Sequence, residues 1–203
     1  MGAALDAHVT DQICYKKMRF LRERSGARVL DVGCRKGMYA RNLGGKDRLV
    51  GLDVDLDALR HARAFLEVVR GDASAMPFKD LSFDTVVAGD VLEHVGDDVT
   101  TFREFIRVAR TNVLLSVPRL KVPSPFRLLG LTWTSREDPT HRRYYEREHL
   151  LKLAARVQPS ASPLQVRIRP WYPASRKAVG FWLGLLERIN WAPGFLVEVV
   201  KTR

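Results

Sequence analysis

The run Val29-Leu30-Asp31-Val32-Gly33-Cys34-Arg35-Lys36-Gly37, followed by Leu49-Val50-Gly51-Leu52-Asp53, decides the fold. Each apolar run is the length of one buried strand and ends in or beside a carboxylate. A glycine-containing turn follows the first run, and a helical stretch leads on to the second. A parallel α/β sheet builds a nucleoside-binding crevice in this way, at the carboxyl ends of its strands. The glycine spacing narrows the choice of ligand. A dinucleotide fingerprint needs Gly-x-Gly-x-x-Gly, but here the second and third glycine positions hold Arg35 and Met38.

Outward from this stretch the chain alternates. Thr10 and Asp11 cap a helix running to about Arg24, with Ile13, Met18 and Leu21 as its apolar face. Strands are predicted at Arg28–Val32, Arg48–Asp53, Leu66–Arg70, Phe83–Ala88 and Val113–Val117. Between them lie a short helix over Met38–Leu43 and a helix capped by Asp55 that reaches about Phe65. A third begins at Asp97 and Asp98, with Val99, Phe102, Ile106 and Ala109 on one face. Its acidic start and its Arg107/Arg110 end suit the helix dipole. Such alternation predicts a parallel sheet with helices on both faces.

The pattern breaks over residues 118–145, which carry Pro118, Pro123, Pro125 and Pro139. This reads as a lid or acceptor segment holding one short helix around Phe126–Leu131. A helix over Glu146–Arg156 follows. Leu164, Val166 and Ile168 then alternate with Gln165, Arg167 and Arg169 as a half-buried strand. A helix around Ala174–Ile189 and a last strand over Phe195–Lys201 complete the chain.

At 203 residues the chain reads as one domain, with 27–117 as its ligand-binding core, 118–145 as the lid and 146–203 completing the sheet. Cys14 and Cys34 are the only cysteines, which leaves a disulfide framework or a cysteine-rich zinc site without support. No metal is expected. The N-terminus has no basic stretch followed by an apolar core. The longest apolar run, Ala178–Leu186, is nine residues, against about 20 for a membrane span. These features predict a cytoplasmic protein. Charge is uneven: residues 1–118 hold 18 Lys and Arg against 17 Asp and Glu, whereas 119–203 hold 16 against 6. The basic C-terminal part reads either as a contact for an anionic partner or as a solvated basic face.

Taken with Gly71-Asp72-Ala73-Ser74-Ala75-Met76-Pro77-Phe78, Ser82-Phe83-Asp84-Thr85-Val86-Val87 and Val91-Leu92-Glu93-His94-Val95, the opening run resembles the methyltransferase type 11 family. This is a group of class I S-adenosylmethionine (SAM) methyltransferases that includes quinone-biosynthesis enzymes. The resemblance covers roughly residues 27–118. It implies a Rossmann-like fold with a seven-stranded, mostly parallel sheet and an antiparallel last strand. It also implies SAM as methyl donor and S-adenosylhomocysteine as product.

Contacts to that cofactor are expected at Asp31, Gly33, Cys34, Arg35, Gly37, Asp53, Val54, Asp72, Ala73, Gly89 and Asp90. Asp31 would hold the ammonium, directly or through water. The Gly33–Gly37 turn would let the backbone approach the methionine end. Asp53 would accept from two ribose hydroxyls, Val54 would lie against the adenine, and Asp72 would accept from its amino group. Arg35 stands where the family usually has its second glycine. Pointing outward it leaves binding intact; pointing inward it blocks binding and leaves a catalytically silent regulatory partner.

His94 and His141 are the candidates for a general base, needed only for a hydroxyl or protonated amine acceptor. The alternatives are a helix-start histidine bonded to backbone and a loop ordered by Asp138 and Thr140. His8, His61 and His149 fall on predicted helices as surface or packing residues. Tyr15 or Arg19 is a candidate to close over the cofactor.

The expected acceptor is a small or lipid-like molecule, with an anionic one favoured by the basic C-terminal part. DNA base methylation is disfavoured, because Gly89-Asp90-Val91-Leu92 stands where amino-methyltransferases carry Asn/Asp-Pro-Pro-aromatic. An RNA-directed reading stays open through the basic part. The aromatic, basic-flanked stretch over 174–195 reads either as a peripheral membrane contact or as a helix packed on the sheet.

Overall fold

All four residues of β1 (Val29–Val32) are buried, and the strand sits inside a seven-stranded sheet. The computed structural model describes residues 17–119, 139–158, 163–171 and 194–202. In chain order the remaining strands are β2 (Leu49–Asp53), β3 (Glu67–Arg70), β4 (Phe83–Gly89), β5 (Ala109–Pro118), β6 (Leu164–Trp171) and β7 (Gly194–Lys201). Their spatial order is β3-β2-β1-β4-β5-β7-β6. Strands β1 to β5 pair in parallel, and β7 runs antiparallel to both β5 and β6. This is the Rossmann-like methyltransferase topology, with the expected antiparallel last strand.

The helices are α1 (residues 17–24), α2 (Ala40–Leu43), α3 (Leu56–Ala62), α4 (Asp98–Val108) and α5 (Arg147–Val157). Successive strand residues point to opposite faces, so a sheet covered on both sides needs apolar residues at nearly every position. On one face Leu30, Val32, Val86 and Ala88 pack with Phe102, Phe105 and Ile106 of α4 and with Leu150 and Leu153 of α5. On the other, Val29, Leu49, Val87 and Leu114 pack with Met18 and Leu21 of α1, Leu43 of α2, and Leu59 and Ala62 of α3. Each of the larger side chains among these, fully buried, contributes roughly 1.5–3 kcal/mol.

Local chemistry starts the helices where the sequence places them. Asp55 caps α3 by accepting from the backbone N–H groups of Asp57 and Ala58. Asp97 caps α4 through those of Val99 and Thr100. His149 belongs to the start of α5, where its Nδ1 accepts from the Glu146 backbone N–H at 3.4 Å.

Several boundaries shift; α2, for example, begins at Ala40 rather than Met38, and β3 at Glu67 rather than Leu66. Helix α3 stops at Ala62, with residues 63–65 in a turn. Helix α4 stops at Val108, and the chain enters β5 at Ala109 without a loop. Arg110 therefore belongs to the strand, where it pairs with Asp84 at 2.7 Å rather than closing the helix. Arg48 stays outside β2 because it closes a 3-10 turn over Gly45–Asp47, its backbone N–H donating to the Gly45 carbonyl; its guanidinium donates to the carbonyls of Ser25 and Gly26. The expected helices at Phe126–Leu131 and Ala174–Ile189, the residues before 17 and most of the 118–145 segment lie outside the described residues.

The loop after β3 carries Asp72, and Arg107 of α4 braces it. Its guanidinium donates to the Phe78 carbonyl at 2.7 Å, the Asp80 carboxylate at 2.7 Å and the Met76 carbonyl at 3.1 Å. Glu104 accepts from Arg107 and from the Met76 N–H. These bonds are charge-assisted and partly shielded, so losing them leaves carbonyls poorly solvated. Arg107→Ala is expected to lower the unfolding free energy by about 2 kcal/mol. Urea denaturation checks the value, and limited proteolysis should find new cleavage between residues 72 and 80.

Candidate functional site

The strand order reverses between β1 and β4, since β1 pairs with β2 on one side and β4 on the other. The loops leaving these strands separate, and a crevice forms at their carboxyl ends. A cleft of about 1280 Å³ occupies this position. Of the residues expected to hold a cofactor, Gly33, Cys34, Arg35, Asp53, Val54, Asp72, Ala73, Gly89 and Asp90 line it. His94 and His141 line it too.

Asp31 and Gly37 are not among the lining residues. The Asp31 side chain is fully buried under the cleft floor, and neither oxygen has a hydrogen-bond partner among the described residues. This geometry gives it no direct contact with a ligand in the cleft. Burial pushes its carboxyl up to about 8, and the nearby Asp53 charge adds to the rise. Cys34 lies beside it. Its thiol is pushed up to about 12 by burial and by Asp31 and Asp53, so it stays neutral and packs as an apolar group.

The turn after β1 is built around Asp53. One Asp53 oxygen accepts from the Arg35 backbone N–H at 2.8 Å, and the other accepts from the Asp55 N–H at 2.9 Å. Arg35 adopts φ +46, the left-handed region that favours glycine, and its side chain is exposed. Gly33, at φ +68, lies so close to Val91 that an added Cβ would come within 2.6 Å of it. A Cβ on Gly89 would collide with the Tyr39 ring. Both glycines therefore keep the backbone open at the bottom of the cleft.

Farther along the floor, Asp72 is held below the usual carboxylate range by bonds from the Ser74 N–H and hydroxyl, at 2.7 and 2.8 Å. Asp90, a second left-handed residue at φ +56, accepts from the Ser116 hydroxyl at 2.8 Å and ion-pairs with Lys17 of α1. Lys17 is thus an α1 side chain that contacts a residue lining the cleft. Arg19 instead pairs with Glu23 at 2.6 Å on the helix surface, and Tyr15 lies outside the described residues. At the rim, Val54 is 60% exposed and Met38 56%. Two exposed apolar side chains lining the cleft suit a flat ring.

The opposite end is formed by residues 91–97 and 140–141. The His94 and His141 rings meet edge-to-face at 4.8 Å, and His94 Nδ1 lies 2.9 Å from the Thr140 hydroxyl. Sequence reasoning selected both histidines separately, and the structure brings them together. It missed Tyr39, Glu93, Ser116 and Lys17. Only Glu93 carried a signal, as the neighbour of His94; the others enter through contacts distant in sequence.

Residues 30–117 match a family model described as a methyltransferase domain. The chain is 32% identical over 105 residues to a demethylmenaquinone methyltransferase of Listeria welshimeri, a match covering 46% of this chain and 44% of the relative. It is 30% identical over 123 residues to a malonyl-[acyl-carrier protein] O-methyltransferase of Legionella pneumophila, covering 56% and 43%. The matches span less than half the length of either relative. An S-adenosylmethionine-dependent methyltransferase from Mesorhizobium loti has the same fold, with a TM-score of 0.64 at 18% identity, the match covering 95% of this chain and 99% of that one. Residues 30–117 thus carry a methyltransferase-domain match, and the chain shares its fold with solved methyltransferases.

Two substitutions probe the site's construction. The native protein holds the Asp31 proton up to about pH 8, whereas the unfolded chain releases it near pH 4. Between these values the native state binds more protons, so this residue makes stability fall as pH rises. Asp31→Asn is expected to remove that slope and to raise stability at pH 8 by about 1–3 kcal/mol, read from urea midpoints at pH 5 and 8. Arg35→Gly removes left-handed strain at the cost of a looser unfolded chain. It is expected to change stability by less than about 1 kcal/mol and to leave ligand affinity at wild-type strength in a calorimetric titration.

Proposed function

We propose that the cleft binds S-adenosylmethionine and that the chain transfers its methyl group to a small or lipid-like acceptor. The observation that carries this reading is the arrangement of Asp53, Val54 and Asp72 along one wall of the crevice at the strand switch point. Asp53 keeps acceptor capacity for ribose hydroxyls beyond its two backbone bonds. Val54 offers an exposed apolar face for the adenine, and Asp72 accepts from its amino group. The Gly33–Gly37 turn and Gly89 admit the methionine end. Asp31 acts there from beneath, through its field rather than by contact. Arg35 supports binding rather than a silent partner, since its side chain is exposed and its backbone N–H helps to fix Asp53.

When bound, the cofactor supplies an electrophilic methyl group whose bond to sulfur breaks as the acceptor's lone pair bonds to carbon, the sulfide leaving unassisted. The protein's task is then mainly to hold the acceptor in line. His94 and His141 border that end of the cleft and can take a proton from a hydroxyl or ammonium acceptor. The names of the two curated relatives favour a lipid-like quinone or a carrier-bound acid as acceptor class. The basic C-terminal part suits an anionic acceptor. The stretch proposed to touch a membrane, 174–195, lies almost wholly outside the described residues. No helix among the described residues is long and apolar enough to cross a membrane.

Isothermal titration with S-adenosylhomocysteine tests the reading. Micromolar binding is expected, weakened at least about 100-fold by Asp53→Ala, the equivalent of about 2.7 kcal/mol. Failure of the wild type to bind would overturn it.

A further inference from the structure

Glu93, His94 and His141 each offer one ligand atom, and these atoms all lie within 4.8 Å of one another. We propose that they form a site for a divalent first-row transition-metal ion at the acceptor end of the cleft. Ligand atoms 2.0–2.2 Å from such an ion sit roughly 3–3.6 Å apart, so side-chain movements of about 1 Å would close the set. One carboxylate with two imidazoles suits manganese, iron, cobalt or zinc, and is a poor match to the all-oxygen shell that calcium prefers.

The surroundings are built to hold these groups in place. Glu93 is 1% exposed, whereas His94 and His141 are half-buried and face the cleft. The two loops that carry the ligands are far apart in sequence but fastened together. The Arg142 N–H donates to the Glu93 carbonyl at 2.8 Å. The Arg143 guanidinium donates to the Val95 and Gly96 carbonyls at 2.9 and 2.7 Å. The Tyr145 hydroxyl donates to the Leu92 carbonyl at 3.2 Å. Four backbone carbonyls of one loop are thereby pinned to the other.

Thr140 adds the feature expected of a metal-binding imidazole. With its hydroxyl accepting from His94 Nδ1–H, the ring is oriented and Nε2 is the nitrogen left to bind the ion. Three protein ligands leave coordination positions open toward the cleft. An acceptor oxygen can occupy one of them, where the ion would lower the pKa of a hydroxyl. That last consequence rests on the methyl-transfer reading above; the site itself does not.

The test uses the full chain, free of any affinity tag and dialysed against a chelator. It is titrated with Co²⁺ while visible absorption is followed, in parallel with calorimetric titration of S-adenosylhomocysteine. One equivalent of Co²⁺ is expected to bind at micromolar strength or better and to give a visible ligand-field band. Glu93→Gln and His141→Ala should each weaken binding at least about tenfold, while His61→Ala, on the surface of α3, should not. S-adenosylhomocysteine binding by the variants reports that they are folded. Absence of stoichiometric Co²⁺ binding, or equal binding in all variants, overturns the site whatever the nucleoside titration gives. Co²⁺ binding without S-adenosylhomocysteine binding supports the site and removes the methyl-transfer reading instead.

Discussion

The Asp53 carboxylate, accepting from the Arg35 N–H at 2.8 Å and the Asp55 N–H at 2.9 Å, is the interaction on which the cleft depends. It joins the turn after β1 to the turn after β2, and so sets the distance between the two walls that would enclose a nucleoside. It also explains how an arginine survives in a turn built for glycine. A left-handed conformation costs a non-glycine residue roughly 1–2 kcal/mol, and a hydrogen bond to a charged acceptor returns about 1.5–3 kcal/mol. The bond offsets the strain, and the Arg35 side chain is exposed at the cleft.

Asp31 shows the opposite balance. A carboxyl without a hydrogen-bond partner among the described residues, inside the central strand, lowers stability at neutral pH, and an amide or apolar group would be tolerated better there. Strain and unfavourable burial concentrate at this end of the sheet. Among the described residues, Arg35 and Asp90 are two of the three non-glycine residues with positive φ, and both line the cleft. Sites that must meet a ligand commonly retain such costs, because the arrangement that binds is not the one that packs best.

Most of the architecture was legible in the sequence because burial on both faces of a parallel sheet makes its strands continuous apolar runs. Asp55 and Asp97 announced the starts of α3 and α4. The ends were harder to read. Arg110 suited a helix terminus, and only the tertiary pairing with Asp84 shows that it belongs to β5. That Asp53, Val54 and Asp72 line the cleft was readable because each ends or follows a strand. Asp31 was placed correctly along the chain, but its depth was not readable, since strand position does not reveal which face a side chain takes. The meeting of Glu93, His94 and His141 depends on Arg143 docking one loop on another, a contact with no local sequence signature.

The charge contrast follows the same division. The nearly neutral first part supplies the cleft's carboxylates and His94, and the basic remainder supplies β6, β7 and His141. The most direct measurement is a crystal structure with S-adenosylhomocysteine. The account predicts the ribose hydroxyls on Asp53, the adenine over Val54 with its amino group toward Asp72, and the sulfur facing the end formed by His94 and His141. A ligand bound in the reverse direction, or outside the crevice between β1 and β4, would contradict it.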